Sequence, residues 1–159
     1  MDDNSVIDEL KQYIVVKLDD EQYGININYV DNIVRMQKIT RVPKTQPYFI
    51  GVINLRGEII PVMSMRIKFG LDSVDVTNST RIIILKTEQN AKLGVLVDEV
   101  KEVVTLSEEF IEKTSFDGEG TNFLTGVGKH NDSLISLLNI NGFINDIENG
   151  PTGIWTRGL

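Results

Sequence analysis

Cysteine is absent from the 159-residue chain, which excludes disulfides, thiolate metal sites and cysteine nucleophiles. Histidine occurs once, at His130 in the turn-like stretch Gly128-Lys129-His130-Asn131-Asp132; one histidine without cysteine leaves no donor set for structural zinc. No hydrophobic run approaches the roughly 18 residues that span a bilayer. The opening Met1-Asp2-Asp3-Asn4-Ser5 is acidic and polar, the reverse of a secretory signal. A cytoplasmic protein with no direct membrane insertion is therefore expected. Aromatic residues make up only 7% of the chain and its formal charge is -7, which argues against nucleic acid as a partner, because that needs a basic footprint and stacking surfaces.

Catalytic patterns are also lacking. Gly126-Val127-Gly128-Lys129 resembles a phosphate loop only superficially, since the first glycine is misplaced and His130 stands where a magnesium-binding Ser or Thr is required. Gly118-Glu119-Gly120 is neither preceded directly by a strand nor followed by a helix, as a dinucleotide fingerprint would be. Asp19-Asp20-Glu21 and Glu108-Glu109 are not paired into an acid/base dyad by their spacing. No reaction class emerges; a non-enzymatic protein without cofactor or metal is expected.

What is present is a series of short, Val- and Ile-rich runs bounded by Asp, Asn, Gly or Pro. They predict strands over Tyr13–Leu18, Tyr23–Ile27, Ile39–Val42, Gly51–Leu55, Glu58–Met63, Arg81–Leu85, Leu93–Val97, Val100–Leu106, Phe123–Gly128 and Leu134–Leu138. Short helical pieces are expected around Asn28–Val34, Ser64–Phe69 and Asn139–Ile147. This pattern describes an all-β sandwich or barrel arrangement.

The runs repeat. Tyr23-Gly24-Ile25-Asn26-Ile27-Asn28-Tyr29-Val30-Asp31-Asn32-Ile33 aligns with Leu93-Gly94-Val95-Leu96-Val97-Asp98-Glu99-Val100-Lys101-Glu102-Val103, 70 positions on. Ile59-Ile60-Pro61-Val62-Met63-Ser64-Met65 aligns in the same order with Leu134-Ile135-Ser136-Leu137-Leu138-Asn139-Ile140, 75 positions on. Two ordered blocks at nearly one offset point to an internal duplication. Units of about 70 residues are marginal alone, so the two are expected to pack or interlock. The seam between them is the first place to look for a binding cleft.

Charge is uneven. Between Arg35 and Lys68, seven basic residues (Arg35, Lys38, Arg41, Lys44, Arg56, Arg66, Lys68) face a single acidic one, Glu58. Solvated strand faces account for this, and so does a docking surface for an acidic partner.

The stretch Phe49-Ile50-Gly51-Val52-Ile53-Asn54-Leu55-Arg56-Gly57-Glu58-Ile59-Ile60-Pro61-Val62 closely resembles the chemotaxis coupling protein family, CheW, and the related regulatory domain of the histidine kinase CheA. Tyr23-Gly24-Ile25, Arg66-Ile67-Lys68-Phe69, Val97-Asp98-Glu99-Val100 and Leu124-Thr125-Gly126-Val127-Gly128 agree, and the likeness runs from about Gln12 to Ile147. The resemblance implies an all-β fold of two intertwined five-stranded SH3-like barrels with a few short helices. It divides the chain into residues 1–11 as an N-terminal segment and 12–147 as the domain, with a first barrel over about 12–79 and a second over about 80–147 that exchange strands. Residues 148–159 remain as a disordered or vector-derived tail.

By the same resemblance the protein is a non-enzymatic adaptor. It binds the cytoplasmic tip of a methyl-accepting chemoreceptor and the regulatory domain of CheA, and is recruited to membrane-associated receptor arrays. The receptor-binding residues implied are Val30, Asn32, Ile33, Arg56, Val100 and Val103; the kinase-binding residues are Ile39, Val42, Pro43, Gly51 and Arg56. Arg56 matches a loop arginine that pairs with a glutamate in the family, yet the corresponding position here is Asn32, with Asp31 beside it. The alternative is a small β-barrel module holding a ligand or oligonucleotide in the inter-barrel groove; a hydrolase using surface carboxylates is a third possibility.

Overall fold

The computed structural model describes residues 10–43, 46–87, 90–113 and 123–148, with side chains up to residue 144. The N-terminal residues 1–9, Lys44, the loop containing Gly118-Glu119-Gly120, and the tail from 149 onward lie outside the described residues.

Eleven strands carry the fold: β1 (Lys11–Leu18), β2 (Glu21–Asn26), β3 (Val30–Arg35), β4 (Phe49–Leu55), β5 (Glu58–Ser64), β6 (Arg81–Lys86), β7 (Lys92–Val97), β8 (Glu99–Leu106), β9 (Ile111–Lys113), β10 (Leu124–His130) and β11 (Ser133–Leu138). A one-turn helix α1 (Met65–Lys68) follows β5, and α2 (Ile140–Glu148) follows β11. The protein is all-β, as expected, in two sheets ordered β3-β6-β7-β5-β4 and β8-β1-β2-β11-β10-β9.

These orders make the duplication visible. The opening hairpin of the first half, β1–β2, sits in the sheet of the second half, while β6–β7 sits in the sheet of the first. Gly24 of β2 lies opposite Leu137 in a parallel pair with β11, and Gly94 of β7 lies opposite Val62 in a parallel pair with β5. A side chain at Gly24 would strike Leu137, and one at Gly94 would crowd Ile82 and Val62. The repeated glycine thus marks where each exchanged hairpin meets its host strand.

The sheets differ by one strand. Pairing across β10 is a three-residue ladder with β9, whereas the matching position on β4 holds only the isolated bridge Thr40–Val52. One sheet therefore has six strands instead of five, and the strand expected over Ile39–Val42 is absent. The segment bends instead: Ile39 packs on a cluster of Ile53, Ile60, Val62, Ile82 and Ile84, while Val42 packs on a different one. Changing cores within four residues ends the ladder.

Strict alternation along β1 and β6 builds three cores. Tyr13 and Val15 face one cluster with Val104, Leu106, Ile135 and Leu137; Ile82 and Ile84 face another. Ile14, Val16 and Leu18 meet Ile83 and Leu85 in the third, which also takes Phe49, Met63, Met65 and Phe143. This central cluster fills the seam between the sheets. Among the described residues the seam is a packed core, because both exchanged hairpins present apolar residues on each face.

Candidate functional site

The helix expected over Asn28–Val34 is instead a 3-10 turn (Ile27–Tyr29) leading into edge strand β3. Val30 pairs with Leu85 and Asn32 with Ile84, so Asp31 is an extra, bulged residue. The bulge turns Val30 and Ile33 to the same side, which imitates the three-residue spacing of a helix. Edge strand β8 repeats the device: Val16 pairs with Val100 and Val15 with Glu102, leaving Lys101 as the extra residue. Charged residues at bulges on exposed edges discourage unwanted strand pairing.

Val30, Ile33 and Val100 are half-buried at the rim of the central core. Val103 stands apart, 52% exposed. The Asn32 side chain accepts a hydrogen bond from the Ile33 backbone N–H at 2.9 Å.

Of the residues expected to contact the kinase, Gly51 lies on β4, Arg56 in the turn after it, and Ile39, Val42 and Pro43 on the segment that bridges β4 at Thr40–Val52. Gly51 lies under the crossing segment, with φ of 147°. A Cβ there would collide with the Thr40 carbonyl and with Ile39, which explains glycine at this position by backbone approach alone. Val42 is half-buried and Pro43 exposed. Arg56 and Gly57 form the turn between β4 and β5 with φ of 55° and 85°, as a two-residue hairpin turn requires; Asn54 Oδ1 accepts from the Gly57 N–H at 2.9 Å. Arg56 is exposed, and among the described residues its guanidinium has no hydrogen-bond or ion-pair partner.

Neither Asn32 nor Asp31 meets Arg56. Lys92, at the start of β7, takes that place: its Nζ lies 3.0 Å from Glu58 and 3.6 Å from Asp31. The hydrogen bond to Glu58 and the nearby Asp31 charge hold the Lys92 amine above its ordinary pKa.

The basic stretch divides on folding. Arg66, with a side chain only 9% exposed, donates from Nη1 to Asp19 at 2.8 Å and to Asp98 at 2.7 Å, and from Nε to the Asp72 carbonyl at 2.6 Å. Lys68 Nζ lies over the Tyr48 ring at 4.4 Å and the Phe123 ring at 5.2 Å. Both residues are structural, which leaves Arg35, Lys38, Arg41 and Arg56 exposed. Composition alone does not distinguish the two kinds. The nearest sequence signal was the pair of separated landmarks containing Arg66 and Asp98.

Tyr23, Phe69, Phe123 and Phe143 pack on one another with ring centroids 5.2 to 6.0 Å apart. They do not form the exposed stacking platform that oligonucleotide binding requires. No group of three or more metal-binding side chains occurs among the described residues. No helix of the described residues is long and apolar enough to cross a membrane.

Two intertwined copies of one strand order agree with the all-β architecture the resemblance implies, and a family model described as the CheW-like domain matches residues 12–148. The chain belongs to the CheW-like family. It is similar to Chemotaxis protein CheW of Helicobacter pylori, with 34% identity over 84% of this chain and 81% of the relative. It is equally similar to Chemotaxis protein CheW of Bacillus subtilis, 34% identical over 84% and 86% respectively. A crystal structure of the scaffolding protein TtCheW from Thermoanaerobacter tengcongensis superposes with a TM-score of 0.75 at 34% identity, covering 82% of this chain and 89% of that one. The CheW relatives and the CheW scaffolding-protein structure support a chemotaxis adaptor.

Proposed function

We propose that this CheW-like protein couples a methyl-accepting chemoreceptor to the histidine kinase CheA, bridging receptor tip and kinase regulatory domain so that receptor state controls autophosphorylation. The observation that carries this reading is the presence of two candidate surfaces on one interlocked fold. The first is on edge strands β3 and β8, where Val30, Ile33 and Val100 rim the central core and Asn32 and the exposed Val103 lie outside it, with Arg56 serving both surfaces. The second is the β4 edge and its hairpin, with Ile39, Val42, Pro43, Gly51 and Arg56.

An apolar rim suits the helical tip of a receptor, which offers apolar residues at i, i+3 and i+4. The unpaired Arg56 suits a carboxylate on the second partner. Binding both partners at once recruits the protein to receptor arrays at the membrane, where weak pairwise contacts gain strength through multivalency.

The test is sedimentation of the purified protein with a CheA regulatory domain and a receptor-tip fragment, singly and together. The expected result is a ternary species containing all three. Binding to neither at high micromolar concentration would remove the adaptor reading for these partners and leave the family membership standing.

A further inference from the structure

The two hairpins that close the duplicated units differ where it is least expected. The β10–β11 hairpin turns at Asn131 and Asp132, with φ of 49° and 65°. Asparagine and aspartate tolerate the left-handed region best among residues with side chains. The β4–β5 hairpin places Arg56 in that region at φ of 55°, although a long side chain gains nothing from it. A local cost of this kind at an exposed tip points to a role outside the turn.

The charges around the tip have the same character. Glu58, two residues beyond Arg56 in the same hairpin, is the natural intramolecular partner for its guanidinium. Lys92 from β7 holds Glu58 instead, at 3.0 Å, and also reaches Asp31 on the bulge of β3. One ammonium thus joins three strands, β3, β5 and β7, and both carboxylates are neutralised without Arg56.

We propose that Lys92 is a positioning residue: by holding Glu58 and Asp31 it ties the β4–β5 hairpin to edge strand β3 and keeps Arg56 open for a carboxylate of the kinase regulatory domain docked along β4. This rests on the adaptor reading above and specifies its chemistry. The kinase is the occupant favoured because the proposed kinase residues converge on this hairpin: Gly51 lies on β4, which runs into the Arg56 turn, and the segment carrying Ile39, Val42 and Pro43 bridges β4 at Thr40–Val52. The arrangement also links the two candidate surfaces, since Asp31 separates Val30 from Asn32.

Affinity for a CheA regulatory domain, measured by calorimetry at low salt, tests the proposal. Lys92→Gln frees Glu58 to capture Arg56, and affinity is expected to fall about three- to fivefold. Adding Glu58→Gln and Asp31→Asn to that variant is expected to restore it to within about twofold, and Lys92→Arg to preserve it. In an Arg56→Gln background, Lys92→Gln is expected to add nothing. An unchanged affinity in Lys92→Gln, or a loss that the triple variant does not recover, overturns the proposal. The same pattern with a receptor-tip fragment and not with the kinase overturns the choice of occupant.

A wild-type protein with no kinase affinity refutes the adaptor reading, and an independent readout then still judges Lys92. Its amine, followed by NMR, is expected to titrate above the ordinary lysine value and to fall in Glu58→Gln. A Lys92 that titrates at the ordinary value overturns its positioning role by itself.

Discussion

Arg66 donates to Asp98 at 2.7 Å from a side chain that is 9% exposed, while Asp98 itself is 25% exposed. With Asp19, from the β1–β2 turn, this pair locks α1 to both exchanged hairpins at the edge of the seam. The carboxylates keep the guanidinium firmly charged despite its burial. Arg66→Met leaves two carboxylates facing each other without a counter-charge. Fully buried pairs broken in this way cost about 3–5 kcal/mol. Because Asp19 is half-exposed, the expected loss is about 2–4 kcal/mol, read as a lower urea midpoint at unchanged m-value. A midpoint equal to wild type would show that the clamp is dispensable.

Gly51 and Gly57 lie on one hairpin and make opposite demands. A side chain at Gly51 meets the Thr40 carbonyl and Ile39, whereas one at Gly57 meets nothing. Gly51→Ala is expected to destabilise by about 2–3 kcal/mol. Gly57→Ala, with only its positive φ to accommodate, is expected to cost about 1 kcal/mol. Thermal denaturation of both variants checks the order. A fully stable Gly51→Ala that has lost kinase binding would instead assign Gly51 to the interface.

Val30 and Val103 separate packing from contact. Val103 is exposed, so Val103→Asp is expected to change stability by less than about 0.5 kcal/mol. On the proposed receptor surface the same change weakens receptor-tip affinity about tenfold, ~1.4 kcal/mol. Val30→Asp places a carboxylate at the rim of the central core and is expected to cost about 2 kcal/mol of stability. Titration of receptor fragment against each variant, with melting curves alongside, distinguishes the two effects. Receptor affinity unaltered in Val103→Asp would take β8 out of the proposed surface.

Two tyrosines contribute to the loss of stability at alkaline pH. Burial raises the Tyr13 and Tyr23 hydroxyls above the ordinary value of 10.0, and for Tyr23 the hydrogen bond to Glu21 adds to it. Above pH 10 the unfolded chain loses these protons while the folded protein keeps them. Stability is therefore complete below pH 10 and falls as pH rises toward the folded-state values. Tyr23→Phe is expected to flatten that decline in chemical denaturation between pH 10 and 11. An identical slope in the variant would contradict the assignment.

The repeat was the most legible part of the fold. Gly24 and Gly94 were matched by sequence, and in the structure each sits against its host strand at the exchanged pairing. The seam was harder to read. Residues such as Ile14 and Ile83 look like ordinary strand positions, and only the strand exchange places them face to face. Edge strand β3 resembled a helix because the Asp31 bulge resets its alternation. The three-residue β9 was too short to stand out from its surroundings.

The candidate site shows the same division. Arg56 at a tight turn was legible, since Gly57 and the flanking strands announce a hairpin. The buried state of Arg66 and the role of Lys92 were not, because their ion-pair partners lie 32 or more positions away along the chain.

The adaptor reading is tested most directly by CheA autophosphorylation in the presence of receptor-containing membranes, with and without this protein. The account predicts that phosphate incorporation becomes responsive to receptor ligand only when the protein is added, and that Arg56→Asp abolishes the response while melting as wild type does. A kinase equally responsive, or equally unresponsive, in the presence and absence of the protein would contradict it.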